Sequence, residues 1–139
     1  MADSAPRRTA IDANVLIAAW SAQDALAAMA LKVLEDPQRR LIVSDALWLE
    51  VFPKAQFHRQ HAEQRFYEAV FSRAEHVPWS AELMERAKDL ACRYGLAAMD
   101  ATHLAVAVVS RADELVSGEK PAKPLYRATE VHVRSLWTH

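Results

Sequence analysis

Short apolar runs in this chain stand apart from one another, separated by helix-length stretches, and that rhythm restricts the fold more than any other feature. Thr9-Ala10-Ile11, Leu41-Ile42-Val43 and Leu115-Val116-Ser117 are brief and nearly continuous in apolar character, so each is expected to be a buried strand. His76-Val77-Pro78 is a further short strand, ended by Pro78. Residues 130–136, where Val131, Val133 and Ser135 alternate with His132, Arg134 and Leu136, read as the last strand. Short strands alternating with helices imply an α/β sandwich around a mainly parallel sheet.

The stretches between the strands carry helical signals. Residues 14–20 form a short helix with Asp12 or Ala13 near its start. Residues 22–35 form a clearer one, with Leu26, Met29, Ala30 and Val33 on one face and Asp36-Pro37 as its stop. Ser44 and Asp45 open a helix reaching about Gln56 or Phe57, and residues 60–73 form another. Ser80 opens a helix that ends at Tyr94-Gly95, and Met99-Asp100 opens an apolar helix through Arg111. Residues 118–129 are expected to be a loop with two prolines.

At 139 residues, with 52% hydrophobic and 25% charged residues, the chain has the size and balance of one domain, 1–139, with residues 1–7 as a flexible tail. Cys92 is the only cysteine, which excludes an internal disulfide and a cysteine-rich zinc site; it is expected simply to pack. The first dozen residues lack an apolar stretch, and no run approaches the roughly 20 apolar residues that cross a bilayer. A cytoplasmic protein with no membrane partner is the expectation. A net charge of −1 argues against a basic module that wraps a polyanion non-specifically. It leaves open a protein that cuts one, because cations in an acidic pocket supply local positive charge.

Acidic residues fall where such a pocket would form. Asp12 ends the first strand, Asp100 opens a helix, and Glu119 lies two residues beyond the strand Leu115–Ser117. Ligands of open α/β sheets bind at the carboxyl ends of strands. Glu50 sits mid-helix in Leu47-Trp-Leu-Glu-Val-Phe52, an apolar setting that is costly for a charge without a partner. On spacing alone Asp12 and Asp100 read as helix caps ahead of ligands, Glu50 equally as a partner of Lys54, and Glu119 as a solvated loop acid.

The segments taken together resemble the PIN-domain nucleases, and within them the VapC-like toxins of type II toxin–antitoxin pairs. The resemblance rests on Ile11-Asp-Ala-Asn-Val-Leu-Ile17, Val43-Ser-Asp-Ala-Leu-Trp-Leu-Glu-Val51, Gly95-Leu-Ala-Ala-Met-Asp-Ala-Thr-His-Leu-Ala105 and Leu115-Val-Ser-Gly-Glu119, in that order. It implies a three-layer sandwich with a five-stranded, mainly parallel sheet. It implies catalytic acids at Asp12, Glu50 and Asp100, with Glu119 standing where the family has Asp. Asp12 and Asp100 would hold Mg²⁺ or Mn²⁺, with Asn14 and Ser117 as polar supports. It further implies an RNA substrate cut by a metal-activated water, a cognate antitoxin and a homodimer. The departure at Glu119 and the unusual loop after it leave a second reading, a weak or inactive PIN-like module that binds RNA or protein. An aspartyl-nucleophile phosphatase ranks low, since Asp12 is followed by Ala13-Asn14.

Several other residues suit a polyanionic substrate. Lys120, Lys123 and Arg127 lie near Glu119, and Lys54, His58, Arg59, His61 and Arg65 form a basic stretch beyond Glu50. His103, one turn after Asp100, reads as a packed or solvated histidine, or as a substrate contact. Trp48, Phe52, Phe57, Phe66 and Phe71 are either core or an interface groove.

Overall fold

Polar residues at the ends of the apolar runs set where each helix begins. The computed structural model describes residues 5–138. Five strands, β1 (Arg7–Ile11), β2 (Arg39–Ser44), β3 (Glu75–Val77), β4 (Glu114–Ser117) and β5 (His132–Ser135), alternate with six helices. The helices are α1 (Ala13–Ser21), α2 (Ala25–Leu34), α3 (Asp45–Phe57), α4 (His61–Ser72), α5 (Ala81–Tyr94) and α6 (Ala98–Val109). Asp12, Ser44 and Ser80 each accept the backbone N–H three residues on, which satisfies a donor that the first helical turn leaves free. Gly95 closes α5 in the left-handed conformation, at φ 67°.

The sheet order is β3-β2-β1-β4-β5, and every pairing is parallel. Successive residues of a strand point to opposite faces. Ile11, Leu41, Val43 and Val116 enter the core beneath α1 to α4, while Ala10, Ile42 and Leu115 enter the one beneath α5 and α6. With both faces covered, the strands read as continuous apolar runs, which is why they were legible. The three-layer α/β sandwich with a five-stranded parallel sheet is thus the observed architecture. No single helix among the described residues is long and apolar enough to cross a membrane.

Several local expectations differ from the structure. Residue 7 belongs to β1, paired in register with Arg39, and not to a tail; residues 1–4 of that expected tail lie outside the described residues. The second helix starts at Ala25 because Asp24 accepts from the Leu26 N–H at 3.0 Å and takes the cap. The loop 118–129 contains a turn of 3-10 helix at Pro124–Arg127. Cys92 is exposed, not packed.

The amino ends of the central strands carry a buried ionic knot. The Glu114 side chain is 2% exposed and accepts from Thr9 Oγ1 at 2.6 Å, Arg39 Nε at 2.9 Å and Arg134 Nε at 3.1 Å. Arg7 adds a fourth positive or polar neighbour at 3.6 Å. Burial opposes the Glu114 charge, yet Thr9 and the arginines hold its carboxyl below the usual range.

Candidate active site

The sheet order reverses direction between β1 and β4, since the chain leaves β1 toward β2 and leaves β4 toward β5. Helices on opposite faces diverge there and leave a crevice beyond the carboxyl ends of those strands. Asp12 follows β1, and Ser117 ends β4. The crevice has a volume of about 250 Å³ and is lined by Asp12, Asn14, Glu50, Asp100, His103, Glu119 and Lys123, among others.

Asp12 is fixed from three sides. Its Oδ1 accepts from Val15 N at 3.3 Å and Gly118 N at 3.1 Å, and its Oδ2 accepts from Ser117 Oγ at 2.5 Å. It is therefore a helix cap and a cleft acid at once, so the two readings of the sequence do not compete. Asp12 is 4% exposed, and burial pushes its carboxyl above the usual value. The Ser117 bond, the His103 ring and the Gly118 and Val15 N–H groups pull the other way without cancelling it. Asp100 is also raised, first by burial and then by the charge of Glu119, against the pull of His103 and Lys123.

Glu119 thus reaches the cluster despite its extra methylene: it lines the same crevice as Asp100, and its charge raises the Asp100 pKa. The turn that carries it is braced. Glu119 N donates to Ser117 Oγ at 3.0 Å, while its carbonyl accepts from Tyr126 Oη at 2.5 Å and Ser135 Oγ at 3.3 Å.

Glu50 is not enclosed by its apolar neighbours; its side chain is 32% exposed at the crevice. Its Oε1 meets His103 Nε2 at 2.5 Å, so its partner is His103 on α6 and not Lys54. His103 is 4% exposed, which makes it the buried link between α3 and the acids of the crevice. The i, i+3 spacing from Asp100 is the signal that places both on one helix face.

Two further residues were not singled out in the sequence. Gly118 carries an N–H that holds Asp12, and it lies so close to α1 that a Cβ there would stand 2.5 Å from Asn14 Cβ. Replacing Gly118 with Ala is expected to destabilise the protein by about 1–3 kcal/mol through overpacking, read as a lower urea midpoint. A midpoint equal to that of the unaltered chain would show that the β4–α1 approach tolerates the methyl group. Trp137, in the 3-10 turn after β5, donates from its indole Nε1 to the Gly118 carbonyl at 2.8 Å.

The basic residues divide. Lys123 lines the acid crevice, and Lys120 sits 5.8 Å from the centre of the Trp137 ring. Lys54 and His58 line a neighbouring hollow of about 390 Å³ between α3 and α4, which shares Glu50. Arg127 is exposed and is not among the residues lining the crevice. The aromatics divide too: Phe52 is core, Phe66 and Phe71 pack against it, and Trp48 and Phe57 are exposed.

The donors are hard oxygens with one buried imidazole beside them, a set suited to Mg²⁺ or Mn²⁺ rather than to a soft metal. Among the described residues, no three carboxylate, imidazole or thiol groups stand grouped as a ready metal cage.

The chain belongs to the PIN domain family, whose pattern matches residues 9–123. No curated protein matches it in sequence. Solved structures do. The toxin–antitoxin complex from Klebsiella pneumoniae contains a chain 27% identical, with 89% of this chain and 98% of that one covered and a TM-score of 0.65. VapBC2 from Rickettsia felis, bound to a DNA fragment from its promoter, is 14% identical over 92% of this chain and 98% of its own, with a TM-score of 0.69. VapC20 from Mycobacterium tuberculosis, a Sarcin-Ricin loop cleaving toxin, is 17% identical over 89% and 98%, with a TM-score of 0.66.

Proposed function

We propose that this PIN-domain chain is a divalent-cation-dependent endoribonuclease acting in the cytoplasm as the toxin of a toxin–antitoxin pair. The observation that carries the reading is the meeting of Asp12, Asp100 and Glu119 in one crevice, two of them held above their usual pKa with no arginine beside them. Carboxylates crowded in this way, still raised with His103 and Lys123 beside them, are stabilised by a bound divalent cation. The Klebsiella complex supports a proteinaceous antitoxin partner; a homodimer is in keeping with the family.

Asp12 and Asp100 are the residues that would hold Mg²⁺ or Mn²⁺. Such an ion, when bound, offsets charge on a scissile phosphate and acidifies a coordinated water. Ser117 and the Gly118 N–H keep the Asp12 carboxylate aimed, and Glu119 lines the crevice beside Asp100. His103 fixes Glu50 at the rim, where its carboxylate orients the attacking water. Lys123 and Asn14, both lining the crevice, would meet the phosphate oxygens of the substrate.

The test is cleavage of RNA with Mn²⁺ or Mg²⁺ added to chelator-treated protein. Asp100→Asn is expected to lower the rate at least about a hundredfold, the scale on which a preorganised electrostatic group is felt. Unchanged cleavage would remove Asp100 from the site. The lack of a ready three-ligand cage favours one other reading, a PIN-like module that binds RNA or protein without cutting. Calorimetric titration separates the two: no Mn²⁺ binding at millimolar concentrations would favour the second.

A further inference from the structure

Trp137 is a large aromatic side chain that the fold pins without burying. Its backbone N–H donates to Ser135 Oγ at 3.0 Å and its indole Nε1 to the Gly118 carbonyl at 2.8 Å, yet the residue remains 48% exposed. Gly118 is the residue whose own N–H holds Asp12, so the indole is fixed one peptide unit away from the acid crevice. Lys120 stands over the ring at 5.8 Å, and Lys123 lines the crevice itself. The other large apolar side chains exposed among the described residues, from Ile17 to Met84, lie on α1, α3, α5 and the loop before α5. Trp137 lies on a different element, the 3-10 turn after β5, and Lys120 stands over its ring.

We propose that Trp137 is a stacking platform for an unpaired nucleobase of the RNA strand, adjacent to the phosphate at the acid crevice, with Lys120 and Lys123 receiving the flanking phosphates. The inference rests on the ribonuclease reading and adds to it a subsite and a strandedness. An aromatic face is tolerant of base identity, because every base presents a π-face to it. Stacking needs a base that is out of a duplex, so the preferred substrate is a single-stranded or looped segment. Charge decides between occupants. An apolar protein face would leave the two ammonium groups unmatched, whereas a nucleotide matches both the ring and the lysines. A fixed indole also spares the binding event the cost of ordering a mobile ring.

The experiment measures equilibrium binding of a labelled oligoadenylate to the full chain in EDTA, beside the same oligomer carrying abasic riboses. Trp137→Ala is expected to weaken oligoadenylate binding roughly tenfold and to leave abasic binding unchanged. Trp137→Phe, which keeps a ring and loses the Gly118 bond, is expected to retain most of the affinity. Lys120→Ala is expected to weaken both oligomers alike and to flatten the salt dependence. Equal binding by Trp137→Ala and the unaltered chain overturns the proposal. So does an equal penalty on the abasic oligomer, which would mean that the ring acts only by holding the Gly118 turn. Dissociation of copies of the chain with RNA affinity intact would make the ring a protein interface, and overturns it as well. If the unaltered chain binds no RNA in EDTA, this inference falls, while the ribonuclease reading is judged by cleavage with Mn²⁺ added; if it binds and cuts RNA while Trp137→Ala binds equally, only this inference falls.

Discussion

Asp12→Asn is expected to lower RNA cleavage at least about a hundredfold while raising the melting temperature of the metal-free protein. The two effects have one origin. Burial holds the Asp12 carboxyl above its ordinary value, so the folded state keeps that proton more tightly than the unfolded state does. Stability is therefore lost as pH rises from the unfolded pKa through the folded one. Asparagine carries no charge at any pH and can still accept from the Val15 and Gly118 N–H groups that Asp12 now engages. A rise of a few degrees is expected for a domain of this size. Calorimetry in EDTA reads it, and the gain should shrink when the unaltered protein is given saturating Mn²⁺, since a ligand bound only to the folded state stabilises it. A variant that melts lower in EDTA at neutral pH would show that the three hydrogen bonds to Asp12 outweigh its burial.

Glu114→Gln is expected to be the most destabilising single change of the ionic groups, by about 3 kcal/mol, with the acid crevice unaffected. The residue sits at the amino end of β4, where Thr9 and three arginines converge on it. Glutamine keeps the shape but leaves Arg39, whose side chain is 8% exposed, facing a neutral amide. The sign of the pH dependence is the reverse of that for Asp12. The folded pKa of Glu114 lies below its ordinary value, so its contribution is complete above the unfolded pKa and is lost as pH falls through the folded one. Urea unfolding at neutral and acid pH checks both points: the gap between variant and unaltered chain should close in acid. A variant as stable as the unaltered chain at neutral pH would mean that the desolvation of the knot cancels its attraction.

The sheet was readable because both its faces are covered. Leu41-Ile42-Val43 sends alternate side chains into two cores, so no polar partner interrupts the run. Strand order was not readable from pattern; it follows from which helices pack on which face. The acids were visible as acids, but two of their relations were hidden. Glu50 looked enclosed because its sequence neighbours are apolar, whereas helical rotation turns it to the crevice, where His103 meets it. Gly118 and Trp137 carry no charge and lie outside the strand signals, so nothing in the pattern tied them to Asp12. The start of α2 was misplaced because alanines at 22 and 25 suit a helix equally, and the Asp24 cap decides between them.

The placement of β1 beside β4 has a consequence in time. Asp12 and Ser117 are 105 residues apart along the chain, and their bond requires the two strands to be paired. Contacts of such wide separation cost the most loop entropy and form after local ones. A chain emerging from the ribosome amino end first has made Asp12 long before it makes the segment that aims it. Nascent chains that stop short of β4 therefore carry three of the four acids with no crevice to hold them. On the ribonuclease reading, cleavage begins only after β4 has joined the sheet beside β1.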